Sequence, residues 1–295
     1  MALSADPKTI KALALDLDGT ILGPGGVLSA RMTETVNKCI QLGLRIIINT
    51  GRSMEGTEPY RTSLGVRGPV IYCNGAVVAD MPSGRILSSM LMDKKAMDFC
   101  FELSRKTGIF CQVYFLVLKK PDTKTAFSSE ASGDARMILV TDQDCAGRQI
   151  YYEQTGIIAE LMDLDKALAA FGQEGCIKTM FIGEPSSLSA IRPKLEEAFG
   201  NSVYMTRTRS NFLELMDAKV SKGNGLKFVM ERLSLKKEEV IAFGDDENDA
   251  PMADAAGFFI APDNAKDIVK AHADLITAPN TEDGVAAFLE KFFCL

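Results

Sequence analysis

A short apolar stretch near the start of the chain ends abruptly in two carboxylates and a glycine. Residues 12–15 are continuously apolar and stop at a turn signal, which is typical of a buried strand. Alternate side chains of a strand share a face and lie roughly 6.6 Å apart, so Asp16 and Asp18 should project the same way. Two carboxylates that close repel each other unless a proton or a cation lies between them. A hard, oxygen-seeking ion such as Mg²⁺, which usually binds beside phosphate, would remove this conflict.

An ordinary strand followed by an Asp-Gly turn explains this stretch equally well, so the rest of the chain has to decide. Further short apolar runs end in polar residues at 44–48, 70–73 and 240–243, and stretches with helical periodicity separate them. Alternation of this kind predicts an open parallel sheet with helices on both faces. We therefore predict an α/β fold with a Rossmann-like, doubly wound parallel sheet.

The rhythm changes after about residue 83. Hairpin-like strands are mixed there with helical stretches, and residues 121–134 form a polar segment, rich in Ser, Thr and Asp, that we interpret as a loop. A mixture of this kind indicates an inserted α+β domain. We assign residues 1–83 and 206–295 to the α/β core, and residues 84–205 to the insertion.

Composition limits what the protein can bind. The net charge is −6 and no long basic run is present, which argues against nucleic acid and membrane surfaces as partners. The seven cysteines are scattered without CxxC spacing, which is typical of reduced thiols in a cytoplasmic protein. His272 is the only histidine, so catalysis by histidine is nearly excluded. The sequence does not indicate an oligomeric state.

Complementary polar residues lie at four of the predicted element boundaries. Besides the two aspartates, Thr50 and Gly51 offer a hydroxyl and backbone amides, Lys222 offers a positive charge, and Asp245 begins a run of acids. Each has an ordinary explanation, such as a solvated lysine or an acidic helix start. Phosphoryl transfer, however, needs a nucleophile, a charge clamp and Mg²⁺ together. One carboxylate can be the nucleophile and a second can be the general acid and base, so the set favours phosphoryl transfer.

Four segments resemble the motifs of the haloacid dehalogenase superfamily, and most closely those of its Cof-type phosphatases. Asn74-Gly75-Ala76 and residues 280–286 also resemble recurrent segments of that subfamily, so the resemblance spans nearly the whole chain. It implies that the insertion is an α/β cap that selects the substrate. The four segments are Asp16-Leu17-Asp18-Gly19-Thr20, Thr50-Gly51-Arg52, Ser221-Lys222-Gly223 and Gly244-Asp245-Asp246-Glu247-Asn248-Asp249.

The resemblance also implies a role for each matching residue. Asp16 would be the nucleophile and Asp18 the general acid and base. Four residues would serve the Mg²⁺ ion, namely Asp16, Asp18 through its backbone carbonyl, Asp245 and, in support, Asp249. Five would bind the phosphoryl group, namely Leu17 through its amide, Thr50, Gly51, Lys222 and Asn248.

We predict on these grounds a Mg²⁺-dependent phosphatase that hydrolyses small phosphomonoesters through an aspartyl-phosphate intermediate. Sugar phosphates and phosphorylated cofactors are the expected substrates, so the partner would be a small phosphorylated metabolite. A phosphosugar mutase is an alternative that the same scaffold supports. A signalling receiver that is phosphorylated on aspartate is a further alternative, but the Asp-x-Asp spacing and the large insertion argue against it.

Overall fold

The computed structural model describes residues 5–118, 135–171 and 175–295, and the polar segment 121–134 lies outside them. The chain forms two compact units, which we call the core unit and the inserted unit. The core unit comprises Met1–Arg52, Thr57–Pro82 and Ser221–Leu295, and the inserted unit comprises Ser53–Gly56 and Ser83–Val220.

The strands of both units are short. In chain order they are β1 (Ala12–Leu15), β2 (Leu22–Gly23), β3 (Val27–Leu28), β4 (Arg45–Ile48), β5 (Gly68–Tyr72), β6 (Val77–Met81), β7 (Arg85–Ser89), β8 (Met92–Asp93), β9 (Phe110–Leu118), β10 (Ala135–Thr141), β11 (Glu160–Leu161), β12 (Gly175–Cys176), β13 (Lys178–Ile182), β14 (Val203–Arg209), β15 (Phe212–Asp217), β16 (Val240–Phe243), β17 (Phe258–Pro262) and β18 (Leu275–Thr277). The helices are α1 (Ala30–Gln41), α2 (Met54–Ser63), α3 (Lys94–Thr107), α4 (Ala146–Thr155), α5 (Leu164–Phe171), α6 (Pro185–Phe199), α7 (Lys222–Arg232), α8 (Ala250–Ala255), α9 (Asp267–Lys270) and α10 (Gly284–Phe293).

A five-stranded parallel sheet forms the centre of the core unit, in the order β18-β17-β16-β1-β4. Every residue of β1 and β16 is buried, as expected where helices cover both faces of a parallel sheet. Helix α1 packs against α10, and α7 packs against α8. The chain runs outward from β1 in both directions, so the strand order reverses there. The predicted α/β class with a doubly wound sheet is confirmed.

The register of the sheet brings the carboxyl ends of three strands together. Leu15 at the end of β1 pairs with Ile48 of β4 on one side and with Phe243 of β16 on the other. The residues that follow these three strands therefore emerge side by side at the point where the strand order reverses. Open α/β sheets bind their ligands at this kind of position.

Two glycines allow α7 to pack closely on its neighbours. A Cβ atom on Gly223 would lie 2.3 Å from the carbonyl oxygen of Pro251 in α8, and one on Gly225 would lie 2.7 Å from Ile71 of β5. Ser221 caps the start of the helix, and its side-chain oxygen accepts a hydrogen bond from the amide of Asn224 at 3.0 Å. This close packing buries the first residue of the helix.

The inserted unit contains a six-stranded sheet in the order β11-β10-β9-β13-β15-β14, antiparallel except for the β10–β11 pair. Alternate residues such as Val113, Phe181 and Leu213 belong to a hydrophobic core that also includes residues of α3 and α6. On the opposite face of the same strands, Lys178 of β13 and Glu214 of β15 form a buried ion pair with an N–O distance of 3.1 Å. The unit has the mixed α+β character expected of the insertion.

The second boundary of the insertion lies later in the chain than the residue 206 that we predicted. Strand β14 pairs with β15, and β15 pairs with β13, so residues 203–217 complete the sheet of the inserted unit. The division falls instead at Ser221, just before α7. Periodicity identifies such strands but does not say which sheet supplies their hydrogen-bond partners, and the prediction erred for that reason.

Two further findings concern the chain as a whole. Among the described residues, no helix has both the length and the apolar character that crossing a bilayer requires. Five of the seven cysteines are buried, and Cys145 and Cys294 are exposed. Burial raises the pKa of the Cys100 thiol to about 12, so this thiol stays protonated at neutral pH.

Candidate active site

Asp16 and Lys222 form the centre of a buried charged cluster at the carboxyl end of β1. The Lys222 Nζ atom donates to Asp16 Oδ1 at 2.6 Å and to Asp249 Oδ1 at 2.5 Å. Each of the three side chains is at most 5% exposed. Buried charges are tolerated when they are paired in this way, so the ammonium group joins two carboxylates that are 233 residues apart in the sequence.

Thr20 lies between Asp16 and a third carboxylate, that of Asp245. Its hydroxyl oxygen is 3.0 Å from Asp16 Oδ2 and 2.8 Å from Asp245 Oδ1. A hydroxyl carries one proton, so it can donate to only one of the two oxygens at a time. Asp245 comes this close because Gly19 has no side chain: a Cβ atom there would lie 2.2 Å from Asp245 Oδ2.

Asp249 fixes the shape of the loop that follows β16. Its Oδ2 atom accepts hydrogen bonds from the amides of Asp245 and Asp246, both at 3.0 Å, while Oδ1 accepts from Lys222. Gly244 permits this turn, since a Cβ atom there would lie 2.3 Å from the Cβ of Asp249. Both oxygens of Asp249 are therefore engaged, whereas Asp16 and Asp245 share a single hydroxyl.

Burial and mutual repulsion shift the titration of the cluster. Burial raises the pKa of Asp16 well above its usual range and the Asp249 carboxylate raises it further, although Lys222 opposes both. Burial also raises the pKa of Asp245 to about 7, again with a contribution from Asp249. Burial lowers the pKa of Lys222, but the charges of Asp16 and Asp249 outweigh this and raise it overall. Three carboxylates thus face one ammonium group.

This imbalance of charge suits a divalent cation. Asp16, Asp245 and Asp249 each offer a carboxylate oxygen, and these atoms lie within 4.8 Å of one another. Carboxylate oxygens are the ligands that hard cations prefer. The Thr20 hydroxyl can donate to only one of the two carboxylate oxygens beside it. A cation beside Asp16 and Asp245 would bind the other oxygen. The residues present therefore fit a metal ion of this class, with Asp249 supporting the site through the loop amides and Lys222.

Asp18 lies outside this cluster, in a different environment. Its carboxylate accepts two hydrogen bonds from Arg52, from Nε and from Nη2, both at 2.6 Å. The Asp18 side chain is 45% exposed, whereas Asp16 is buried. The chain leaves strand geometry after Leu15, because the carbonyl of Leu17 accepts hydrogen bonds from the turn that follows. One aspartate therefore points into the protein and the other faces solvent.

The residues predicted to bind phosphate are distributed around the same sheet edge. Thr50 is buried, and its hydroxyl accepts a hydrogen bond from the Arg52 amide at 3.2 Å. Its carbonyl accepts from the amide of Asn74 at 3.0 Å, and the Asn74 Oδ1 atom accepts from Asn248 Nδ2 at 2.8 Å. Leu17 is buried and Gly51 is partly exposed. These hydrogen bonds link Thr50, Asn74 and Asn248 to one another.

Four residues to which we assigned no role belong to this arrangement: Thr20, Asn49, Arg52 and Asn74. Asn49 is fully buried and its Nδ2 atom donates to the backbone carbonyl of Lys222 at 2.9 Å. The Oδ1 atoms of Asn49 and Asn248 are buried and have no hydrogen-bond partner among the described residues. Thr20 and Arg52 stand within the motifs quoted above, so proximity to the motif was the available signal. Asn49 directly precedes the second of these motifs and Asn74 begins a further quoted segment, so a similar signal was available for both.

Comparisons with known proteins identify relatives of this chain. A model of the haloacid dehalogenase-like hydrolase family matches residues 13–289. The 5-amino-6-(5-phospho-D-ribitylamino)uracil phosphatase YwtE of Bacillus subtilis (strain 168) is 26% identical over 296 residues, covering 96% of this chain and 98% of the relative. YitU of the same organism, which carries the same enzyme name, is 27% identical over 290 residues, covering 96% of this chain and 97% of the relative.

A solved structure shows the same fold. The crystal structure of a haloacid dehalogenase-like hydrolase from Bacteroides thetaiotaomicron superposes on this chain with a TM-score of 0.80. The two sequences are 24% identical, and the match covers 96% of this chain and all of that one. At that identity the likeness concerns the fold alone, and it includes both the core and the insertion.

Proposed function

The chain belongs to the haloacid dehalogenase-like hydrolase family and is a phosphatase of that family, and we propose that it hydrolyses small phosphomonoesters through an aspartyl-phosphate on Asp16. The observation that carries this proposal is the buried cluster in which Lys222 and Thr20 hold the two oxygens of Asp16. A carboxylate whose direction is fixed in this way is prepared to act as a nucleophile.

In the first step, an oxygen of Asp16 attacks phosphorus and the bond from phosphorus to the ester oxygen breaks. Asp18, in its acid form, gives its proton to the departing alkoxide. In the second step, Asp18 takes a proton from water, and the water oxygen attacks phosphorus. The bond to Asp16 then breaks, which releases inorganic phosphate and restores the Asp16 carboxylate. Asp18 is suited to both transfers because its side chain is partly exposed, so leaving group and water can reach it.

Charge builds up on the phosphoryl oxygens during both steps and must be balanced. Lys222 is buried beside Asp16 and supplies a fixed positive charge. The proposal assigns phosphate binding to Thr50, Gly51, Asn248 and the amide of Leu17. Mg²⁺, held by Asp16, Asp245 and the backbone carbonyl of Asp18 and supported by Asp249, would supply further positive charge at the phosphoryl group.

We assign the choice of substrate to the inserted unit, since all the catalytic and phosphate-binding residues proposed above belong to the core unit. Substrates would be sugar phosphates or phosphorylated cofactors. Two relatives are named for the hydrolysis of 5-amino-6-(5-phospho-D-ribitylamino)uracil, so this compound is a specific candidate. A cytoplasmic location would give access to such metabolites.

A phosphate-release screen tests the proposal. The panel contains p-nitrophenyl phosphate, glycerol 3-phosphate, ribose 5-phosphate, glucose 6-phosphate, pyridoxal phosphate and the ribitylaminouracil phosphate, each with Mg²⁺ or with EDTA. We expect release that requires Mg²⁺, complete loss in Asp16→Asn, and a loss of about 10²–10⁴-fold in Asp18→Asn, the usual effect of removing a positioned acid and base.

Asp246→Asn is the matched control, because Asp246 lies in the same loop but pairs with Lys266 at 2.6 Å. It should keep most of the activity. Near-wild-type turnover in Asp16→Asn would contradict the mechanism. Isomerised sugar phosphate in place of free phosphate would instead indicate a mutase.

A further inference from the structure

A relay of side-chain contacts in the core unit connects Asp18 to a backbone carbonyl of the hairpin that follows it. Arg52 binds both oxygens of Asp18 at 2.6 Å. The Cζ atom of the same guanidinium lies 4.7 Å from the centre of the Tyr60 ring. The Tyr60 hydroxyl donates to the carbonyl oxygen of Gly26 at 2.9 Å. The carboxylate of Asp18 is thus bound by a guanidinium that stacks on the Tyr60 ring. The ring is anchored at one end by helix α2 and at the other by the hydrogen bond of its hydroxyl to Gly26.

The turn of the β2–β3 hairpin leaves space for the side chains of Arg52 and Tyr60. Strands β2 and β3 pair across a tight turn, in which Gly26 has a φ of +75°. A Cβ atom on Gly26 would lie 2.9 Å from the Tyr60 hydroxyl oxygen and 3.5 Å from Arg52 Nη2. A glycine is therefore needed here both for its backbone conformation and for the space that it leaves. Helix α2 supplies Tyr60 from the opposite side.

We propose that Tyr60 is a positioning residue that, through Arg52, fixes the direction of the Asp18 carboxyl group for proton transfer. The inference rests on the proposed function, in which Asp18 gives its proton to the leaving oxygen and later takes one from water. Arg52 stays protonated throughout, so it exchanges no proton and only holds the carboxyl group. In this proposal Tyr60 acts only through Arg52, which its ring contacts.

The physical reason is the rotamer freedom of a long side chain such as Arg52. Fixing an arginine in one conformation costs much of this freedom. A guanidinium already stacked on an aromatic ring has lost part of it beforehand. Both oxygens of Asp18 accept hydrogen bonds from Arg52, so the direction of the guanidinium bears directly on that of the carboxyl group. A displacement of about 1 Å at a reacting group can cost on the order of 10²-fold in rate.

The leaving group provides a readout that a merely structural role would not change. Alkyl phosphates release a poor leaving group that needs the proton of Asp18. The nitrophenolate released from p-nitrophenyl phosphate is stable without that proton. Asp18 also serves the hydrolysis of the aspartyl-phosphate, which is the same for both esters, so the readout is kcat/KM, which covers only the steps up to departure of the leaving group. Disturbing the position of Asp18 should lower kcat/KM much more for the alkyl ester than for the aryl ester. Damage to the fold or to phosphate binding should lower kcat/KM for both esters alike.

The experiment compares Tyr60→Phe and Tyr60→Leu with the wild-type protein in Mg²⁺. Two substrates are used: p-nitrophenyl phosphate and the alkyl phosphate that is hydrolysed fastest in the panel above. For Tyr60→Leu we expect kcat/KM on the alkyl ester to fall about 30–100-fold, and kcat/KM on the aryl ester to fall less than about 3-fold. Tyr60→Phe keeps the ring and loses only the hydroxyl, so its loss on the alkyl ester should be about 3–10-fold.

Glu58→Gln is the control, because Glu58 lies on the same helix but bonds to Arg61. It should affect both esters equally. Equal losses of kcat/KM on both esters in Tyr60→Leu, or no loss, would overturn the role of Tyr60 while leaving the phosphatase activity of the wild-type protein in place. Absence of phosphate release by the wild-type protein on every ester would overturn the proposed function, and the role of Tyr60 with it.

Discussion

At the scale of single residues, the site is defined by groups that compete for the same partner. One Thr20 hydroxyl serves oxygens of both Asp16 and Asp245, and one Lys222 ammonium serves both Asp16 and Asp249. Such an arrangement leaves negative charge without a counterion as long as no cation is bound. The residues that make the site reactive therefore also destabilise the metal-free fold, as is common at functional sites.

A prediction about pH follows from Asp245. Burial raises its pKa from 3.8 to about 7 in the folded protein, so the folded state holds this proton more tightly than the unfolded state does. The free energy of unfolding of the metal-free protein should therefore fall as pH rises from about 4 to 7, and the full penalty should remain above 7. We expect a loss on the order of 2 kcal/mol, discounted for the partial exposure of the residue.

The measurement is urea denaturation in EDTA at pH 5 and pH 8, compared between wild type and Asp245→Asn. The variant cannot ionise at this position, so its stability should fall less between the two pH values. Asp246→Asn serves as the control, since it keeps Asp245. An identical pH dependence in wild type and Asp245→Asn would show that Asp245 ionises freely in the fold.

At the scale of secondary-structure elements, the close packing of α7 on α8 sets the position of Lys222. Gly223 follows Lys222 directly and lies against the carbonyl of Pro251. The Asn49 side chain binds the carbonyl of Lys222 from the end of β4. The lysine is therefore fixed through its backbone as well as through its ammonium group.

Gly223→Ala should disturb this packing. The added methyl group would lie 2.3 Å from a backbone oxygen, so α7 has to shift, which should cost about 1–3 kcal/mol of stability and lower kcat through the displaced lysine. Lys227→Ala, at an exposed position of the same helix, should change stability by less than about 0.5 kcal/mol. Thermal denaturation and phosphate release on both variants check this. Wild-type stability in Gly223→Ala would mean that α7 moves away from α8 at no cost.

At the scale of the whole molecule, the candidate metal site exists only in the folded chain. Asp16 and Asp245 are 229 positions apart in the sequence, and parallel neighbours in one sheet bring them together. A ligand that binds only the folded state stabilises it in proportion to the logarithm of its concentration.

Mg²⁺ should therefore raise the melting temperature of the wild-type protein. At a concentration of 100 times its dissociation constant the gain is about 2.7 kcal/mol. Asp245→Asn should lose most of this shift, and Asp246→Asn should keep it. Differential scanning fluorimetry over a Mg²⁺ titration measures the shift in all three proteins. An equal shift in all three would place the ion elsewhere.

The core fold and most members of the candidate site could be predicted from local pattern. Apolar runs that end in Asp16, Thr50 and Asp245 indicated parallel strands, and parallel strands place their carboxyl ends together. The boundary at residue 206 could not be predicted in the same way. Its correct position depends on which strands β14 and β15 pair with, and a pairing partner leaves no periodicity of its own in the sequence.

The sequence by itself determined that this chain folds as an α/β core with an insertion, and which acidic, hydroxyl and basic residues meet at one sheet edge. Only the tertiary structure decided which of those residues are buried, which are exposed and which partners each one has. Asp16 and Asp18 are two positions apart, yet one is buried against Lys222 and the other is held at the surface by Arg52. The physical reason is that the surroundings of each aspartate are formed by residues far away in the chain, such as Lys222 and Tyr60. Only the packed fold brings these residues close.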